Sequence, residues 1–329
     1  MVGTSLHPVR QPATVTPPAV PAGGRRRTGW RRDGPAAVLF LGPWFVGLIA
    51  ITIGPIVASL VLSFTDYNLL SSPDWVGWEN YQRMVEDPRL HQALRVTVTY
   101  VLVGVPLQLV AALALALVLD RGVRGLPIYR SIYYLPSLLG GSVAIAILWR
   151  LIFGAEGLIN QILALPGVSQ LAGWFGIEPI GWVSHPDHAL STIIVLHVWT
   201  FGSPMVIFLA GLRQIPAMYY EAASVDGAGW FTRFFRITLP LLTPIIFFNL
   251  VLQIINSFQT FTQAFIVSGG SGGPADSTLF YTLYLYQRGF KNFDMGYASA
   301  MAWLLLLIIA GFTAANFAAA KFWVFYGDD

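Results

Sequence analysis

Five side chains able to bind a hydroxyl-rich solute recur within one apolar run. Asn249, Gln253, Asn256, Thr260 and Gln263 follow one another at intervals of four, three, four and three residues. That spacing keeps them on one face of an α-helix, along about 21 Å of its axis. Phe247, Phe248, Leu250, Val251, Leu252, Ile254 and Ile255 occupy the other sides. A carboxamide donates and accepts hydrogen bonds, as a sugar hydroxyl does, and it is costly against lipid, so the stripe faces protein or water. Two readings stay open: a path for a neutral solute, and interhelical hydrogen bonding that holds a bundle together. Phe258 and Phe261 could stack on a sugar ring, although core packing is their more ordinary role. His197, Trp199 and Ser203 are further candidates for the path, with the same packing alternative.

A second stretch is a polar island between apolar runs: Glu221-Ala222-Ala223-Ser224-Val225-Asp226-Gly227-Ala228, closed by Ile237-Thr238-Leu239-Pro240. Pro216 suits the first turn of a helix, and Ala217 to Val225 can wind about two and a half turns. Gly227 can take the left-handed conformation that stops it, and a second short segment with Arg233 and Arg236 is expected to end before Pro240. Ala222 and Ala223 would let another protein approach the backbone closely, while Glu221 and Asp226 offer charges to pair with it.

Other chemistry is excluded by what the chain lacks. It has no cysteine, so no disulfide framework and no thiolate metal or redox site. No Gly-x-x-x-x-Gly-Lys-Ser/Thr phosphate cradle occurs, and neither lysine, Lys291 or Lys321, follows a glycine-rich loop. Gly269-Gly270 and Gly272-Gly273-Pro274 form a glycine-rich loop without that lysine. The five histidines form no ligand-spaced pair on one helix, and no nucleophile, base and orienter come together. The chain is thus not read as an enzyme, and no cofactor is assigned to it.

Composition identifies the medium these residues work in. Hydrophobic residues make up 55% and charged residues 11% of 329 positions, which marks a polytopic membrane protein of the all-α class. Six stretches reach the roughly 20 residues a helix needs to cross a bilayer: 37–64, 96–119, 132–153, 190–212, 241–267 and 298–323. Pro55, Pro106, Gly140-Gly141, Gly202 with Pro204, and Pro244 fall inside them, where kinks rather than breaks are expected. Residues 1–33 are rich in Pro, Gly and Arg and read as a disordered tail. The apolar run behind it is too long for a cleaved signal. Residues 34–329 then form the membrane domain, with a loop at 213–240.

Arginine placement orients the chain. The tail, the loop with Arg121, Arg124 and Arg130, and the loop with Arg213, Arg233 and Arg236 share one side, which is the cytoplasm by the positive-inside rule, so both termini are expected there. Residues 154–189 contain no Lys or Arg and face outward. Arg150 is expected to reach from a helix end toward water or Glu156. A nucleic-acid partner is excluded, because no basic surface interleaved with aromatics occurs in a soluble domain.

Glu221-Ala222-Ala223, Asp226-Gly227-Ala228 and Ile237-x-Leu239-Pro240 resemble the EAA loop of membrane subunits of binding-protein-dependent ABC importers. Ser63 to Tyr67, Gly77-Trp78-Glu79-Asn80-Tyr81, Leu113 to Arg121, Tyr129 to Pro136 and Asn292 to Met301 are similar to stretches of the maltose/glycerol-phosphate type of carbohydrate permease, with Trp78 in place of that family's leucine. The resemblance covers residues 36–325. It implies a six-helix permease fold in a bacterial inner membrane, with Glu221, Ala222, Ala223, Asp226, Gly227 and Ala228 forming a coupling helix and turn that dock on an ATPase. The implied partners are a second permease subunit, two ATPase subunits that bind ATP and magnesium, an extracytoplasmic solute-binding protein and membrane lipid. A carbohydrate is the implied cargo; glycerol phosphate is the alternative and would call for cations along the path. A secondary transporter or channel would want acidic or lysine residues within the spans, and the fifth has none.

Overall fold

The computed structural model describes residues 34–122, 125–174 and 176–325. The basic tail at 1–33 and Arg124 lie outside them. The chain forms two compact units, one ending at Ile56 and one running from Val57. Helix α1 (Gly34–Gly47), a π-helical turn (Leu48–Ile53) and α2 (Gly54–Leu62) follow one another, and 26 residues from Ala37 to Leu62 are long and apolar enough to cross a membrane.

After α2 come two short antiparallel strands, β1 (Thr65–Asp66) and β2 (Asp74–Trp75), and helix α3 (Glu79–Glu86). Asn80 fastens this corner: its buried Nδ2 donates to the carbonyls of Ser63 (3.0 Å) and Thr65 (2.9 Å). Phe64 stacks on Trp75 and meets Trp78 edge-on.

Helix α4 (Pro88–Asp120), 33 residues long, is the axis of the second unit. Asp87 caps it by accepting from the amides of Arg89 and Leu90, and Pro88 occupies the first turn, where no amide hydrogen is needed. Ala93, Ala112 and Ala116 are fully buried along it, so neighbouring backbones pack close. Against α4 pack α9 (Pro186–Trp199), α10 (Gly202–Leu212) and α13 (Leu239–Phe258), while α5 (Leu126–Leu139) packs on α10, and α6 (Val143–Ile152) on α14 (Thr262–Val267). Small helices α7 (Leu158–Leu163) and α8 (Val168–Trp174) follow α6, and α11 (Ala217–Val225) and α12 (Trp230–Arg233) precede α13. Helix α15 (Tyr281–Tyr286) and α16 (Met295–Trp323) complete the bundle.

Four helical segments are long and apolar enough to span a membrane, and six crossings result if α5 with α6 and α9 with α10 each count as one. Those two pairs differ from the expected kinks. α5 and α6 meet at 94°, and α9 and α10 at 41°. Gly140 presses against Thr200 so closely that any side chain would collide, and Ser142 starts α6 afresh, its Oγ accepting from the Ile145 amide. The run 241–267 is likewise interrupted: α13 stops at Phe258, three residues pass in non-helical conformation, and α14 begins at Thr262. The segment carrying Arg233 and Arg236 does not end before Pro240. It passes through a π-helical turn, Phe234–Thr238, whose closing bond runs from the Leu239 amide to Phe234, directly into α13. Pro240 is the second residue of α13, directly behind that π-helical turn, and does not stop the segment before it.

At the start of α4, Asp87 is the hub of a polar knot. Its second oxygen accepts from the Tyr284 hydroxyl (2.6 Å), the Tyr297 hydroxyl (2.8 Å) and the Arg288 guanidinium (3.1 Å). Burial pushes the Asp87 carboxyl up, but the bonds from Tyr284, Tyr297 and the Leu90 amide, with the Arg288 charge, outweigh it and hold the group below the usual carboxylate range. Burial and Asp87 push the Tyr284 phenol up to about 12, so it remains a donor. Arg83 pairs with Asp294 and Arg89 with Asp276, both at 2.8 Å, in the same region.

Candidate functional site: a cavity where three helices break

The three interruptions meet around one cavity of about 250 Å³. Each break frees carbonyls that a continuous helix would satisfy, and in each a side chain from another element covers one. Pro204 has no amide hydrogen for the Thr200 carbonyl. Ser137 Oγ donates to that carbonyl (2.8 Å) while accepting from the Ser203 amide (2.8 Å), and Gln108 Nε2 donates to it as well (3.2 Å). The Gly140 carbonyl accepts from Gln263 Nε2 at 3.1 Å. Thr282 Oγ1 covers the Thr260 carbonyl. Gly202 lets α10 touch α5: a Cβ there would collide with the Tyr133 carbonyl and lie 2.8 Å from Tyr134 Cα.

Of the five residues in the carboxamide stripe, Gln253, Asn256, Thr260 and Gln263 line this cavity. They do so from three structures, α13, the break and α14, and not from one continuous helix. Asn249 is apart from them: fully buried, its Nδ2 donates back to the Ile245 carbonyl (3.2 Å) and its Oδ1 has no partner among the described residues. His197 and Ser203 line the wall too, with His197 Nε2 3.4 Å from Ser257 Oγ and its ring against Tyr100. Phe258 is 1% exposed and packs on Phe312, and Phe261 on Phe265 and Tyr286. Arg150 is exposed and shares a separate hollow with Glu156.

Reading the sequence missed Tyr100, Gln108, Ser137, Leu196, Thr200 and Ser257, which with Pro204 complete the wall. Gln108 had a signal, being the one carboxamide in the apolar stretch 96–119. Ser137 and Thr200 had none, because small hydroxyls pass unnoticed in apolar helices. Among the described residues no Asp, Glu, Lys or Arg lines the cavity. Hydroxyls and carboxamides there can exchange hydrogen bonds with a neutral polar solute, and none is arranged to attack a bond. Among the described residues no group of three His, Cys, Asp or Glu could hold a metal ion.

The Glu221 stretch lies at the far end of α4 from Asp87, since Asp120 meets Arg213 (3.7 Å) and Arg121 lies over Trp230. α11 ends in a paired closure: the Ala228 amide reaches Ala223 (2.9 Å), the Gly227 amide reaches Ser224 (3.1 Å), and Gly227 adopts φ +72°. Tyr220 to Thr238 and Arg233 to the Ala228 carbonyl tie the loop to the base of α13. Glu221, Ala222, Asp226 and Gly227 are exposed, Ala223 and Ala228 half-buried.

Comparison with known proteins agrees with this geometry. Residues 97–322 match the family model described as binding-protein-dependent transport system inner membrane component. The chain is 52% identical to a probable ABC transporter permease protein, YesP, of Bacillus subtilis (strain 168), over 90% of its own length and 94% of the relative's. It is 33% identical to the lactose transport system permease protein LacF of Rhizobium radiobacter, over 86% and 93%. A crystallised bacterial alginate ABC transporter, in complex with an alginate pentasaccharide-bound periplasmic protein, contains a chain of the same fold, with TM-score 0.70 at 18% identity, covering 88% of this chain and 95% of that one.

Proposed function

We propose that this chain, which belongs to the inner membrane components of binding-protein-dependent transport systems, forms half of the path by which an ABC importer carries a neutral sugar or oligosaccharide. The observation that carries the reading is the uncharged cavity at three helix breaks, lined by Gln253, Asn256, Thr260 and Gln263. Broken helices expose polar backbone at membrane depth only where it faces protein or a wet cavity. A sugar offers the donors and acceptors such a wall can answer. The relative named for lactose transport points the same way. A phosphorylated cargo would need cations that the wall lacks.

Half a path cannot enclose a solute, so a second permease subunit completes it. Two separate ATPase subunits hold ATP and magnesium, one of them docking on Glu221 to Ala228 from the cytoplasm, and a solute-binding protein delivers cargo at the Asp87 end. Both termini lie in the cytoplasm. Closure of the ATPases moves α11, whose ties to the base of α13 pass the motion to the cavity, giving alternating access.

The test is uptake of tritiated saccharides into vesicles holding the complete transporter, with Gln253→Leu and Asn256→Leu variants. Intact assembly with uptake reduced at least tenfold, or with altered choice of saccharide, is the expected outcome. Wild-type uptake by both variants would return these residues to helix packing. Uptake by this chain alone, without an ATPase, would overturn the importer reading.

A further inference from the structure

We propose that a hollow at the foot of the bundle, between Tyr219 and Phe325, is a binding site for an anionic phospholipid of the cytoplasmic leaflet, with Arg236 taking its phosphate. The site does not depend on what the cavity carries; only the choice of leaflet rests on reading Glu221 to Ala228 as cytoplasmic. The hollow measures about 410 Å³ and is lined by Tyr219, Arg236, Ile237, Pro240, Leu241 and Phe325. Two membrane-crossing helices end at it. Pro240 and Leu241 open α13, and Phe325 follows α16, its amide donating to Thr243 Oγ1 (2.9 Å). The exposed rings of Trp230, Phe231 and Phe235 precede the one helix and Phe322 closes the other, the placement that aromatic side chains take at headgroup level.

The neighbouring arginines are engaged. Arg213 pairs with Asp120 (3.7 Å), Arg121 lies over Trp230, and Arg233 Nε donates to the Ala228 carbonyl (2.7 Å). Arg236 is exposed and has no hydrogen-bond or acidic partner among the described residues, and neither has the Tyr219 hydroxyl. No Asp or Glu among the described residues lines the hollow. An unpaired cation beside apolar walls matches a lipid in both its parts. A guanidinium can hold two phosphate oxygens at once, a tyrosine hydroxyl can add a donor, and Ile237, Leu241 and Phe325 offer apolar surface to the first acyl carbons. A zwitterionic headgroup would bring an ammonium for which these walls hold no carboxylate, so the net charge of the lipid decides. Tyr219 belongs to α11 and Arg236 to the turn before α13, so one lipid held by both ties α11 to the membrane surface.

The complete transporter is reconstituted in nanodiscs of equal phosphatidylglycerol and phosphatidylcholine, and the lipid still bound after transfer to detergent is counted by native mass spectrometry. The wild type should retain phosphatidylglycerol in preference. Arg236→Gln should lower that retention about fivefold, the effect of one cation near anionic lipid, while Arg236→Lys should keep most of it. Because Arg236 is exposed and bonded to no described residue, its replacement leaves the fold intact. Lys321→Gln removes a cation from the last turn of α16, outside the hollow, and should change nothing; an equal loss there would mark a diffuse charge effect and overturn the site. An excess of inorganic phosphate should not displace the lipid, since the apolar walls hold its chains, and displacement would overturn the choice of a lipid. Equal retention by the wild type and Arg236→Gln, or no preference for phosphatidylglycerol in the wild type, overturns the proposal. Retention that appears only with Asp328→Asn and Asp329→Asn would give Arg236 to the chain's own acidic end and overturn it too. Lipid is counted without transport, so failure of the importer reading leaves this result standing.

Discussion

Replacing Gly227 by valine should uncouple ATP hydrolysis from uptake, and replacing it by asparagine should not. Gly227 holds φ +72°, and a Cβ added there meets nothing within 4 Å. Steric room is therefore equal for both residues, and only the backbone preference differs. A β-branched residue in the left-handed region costs about 2 kcal/mol more than glycine, whereas asparagine enters it readily. About 2 kcal/mol lowers the ratio of closed to opened turn roughly 30-fold. The loss falls on the two bonds that end α11, from Ala228 to Ala223 and from Gly227 to Ser224. Tyr220 and Arg233 still tether the loop, so the subunit should assemble normally. Hydrogen exchange at the Ala228 amide should rise roughly 30-fold in the valine variant, and the ATP consumed per solute carried should rise with it. Equal exchange and equal coupling for valine and asparagine would refute the idea that this turn's left-handed backbone carries the docking surface.

Asp87→Asn should leave the start of α4 frayed, because an amide has one oxygen to divide between the Arg89 and Leu90 amides and the donors of Tyr284, Tyr297 and Arg288, which the carboxylate serves with two; exchange at the Arg89 and Leu90 amides should rise at least tenfold. In the wild type the folded pKa of Asp87 lies below its ordinary 3.8. Its contribution is therefore complete above that ordinary value and is lost as pH falls through the lower folded one; protection of these amides should drop below about pH 4 and show no such step in the variant. Gly202→Ala should part α5 from α10, since the new methyl meets backbone atoms of Tyr133 and Tyr134 that cannot swing aside; a cost of about 1–3 kcal/mol should appear as a lower unfolding temperature in detergent together with impaired uptake, and wild-type behaviour in both assays would contradict the packing described.

Much of this chain follows from its residues read in order. Hydrophobic runs of about 20 residues cannot remain in water, and α11 appears at Ala217–Val225 with Gly227 left-handed, because proline and glycine constrain the backbone locally. The resemblance to importer permeases also rests on local strings such as Glu221-Ala222-Ala223. The breaks were decided elsewhere. Gly140-Gly141 reads as a kink until Thr200 is seen pressed against Gly140, and nothing near Gln259 announces that α13 stops there. A helix opens where partners from distant segments take up its freed carbonyls, as Ser137, Gln108 and Gln263 do here. The same distance hid Asp87, whose partners Tyr284, Arg288 and Tyr297 lie some two hundred positions away. Periodicity reports which face of a helix is polar. Only the packed bundle determines where that helix ends and whether a polar side chain such as Asn249 or Gln253 meets protein or cavity.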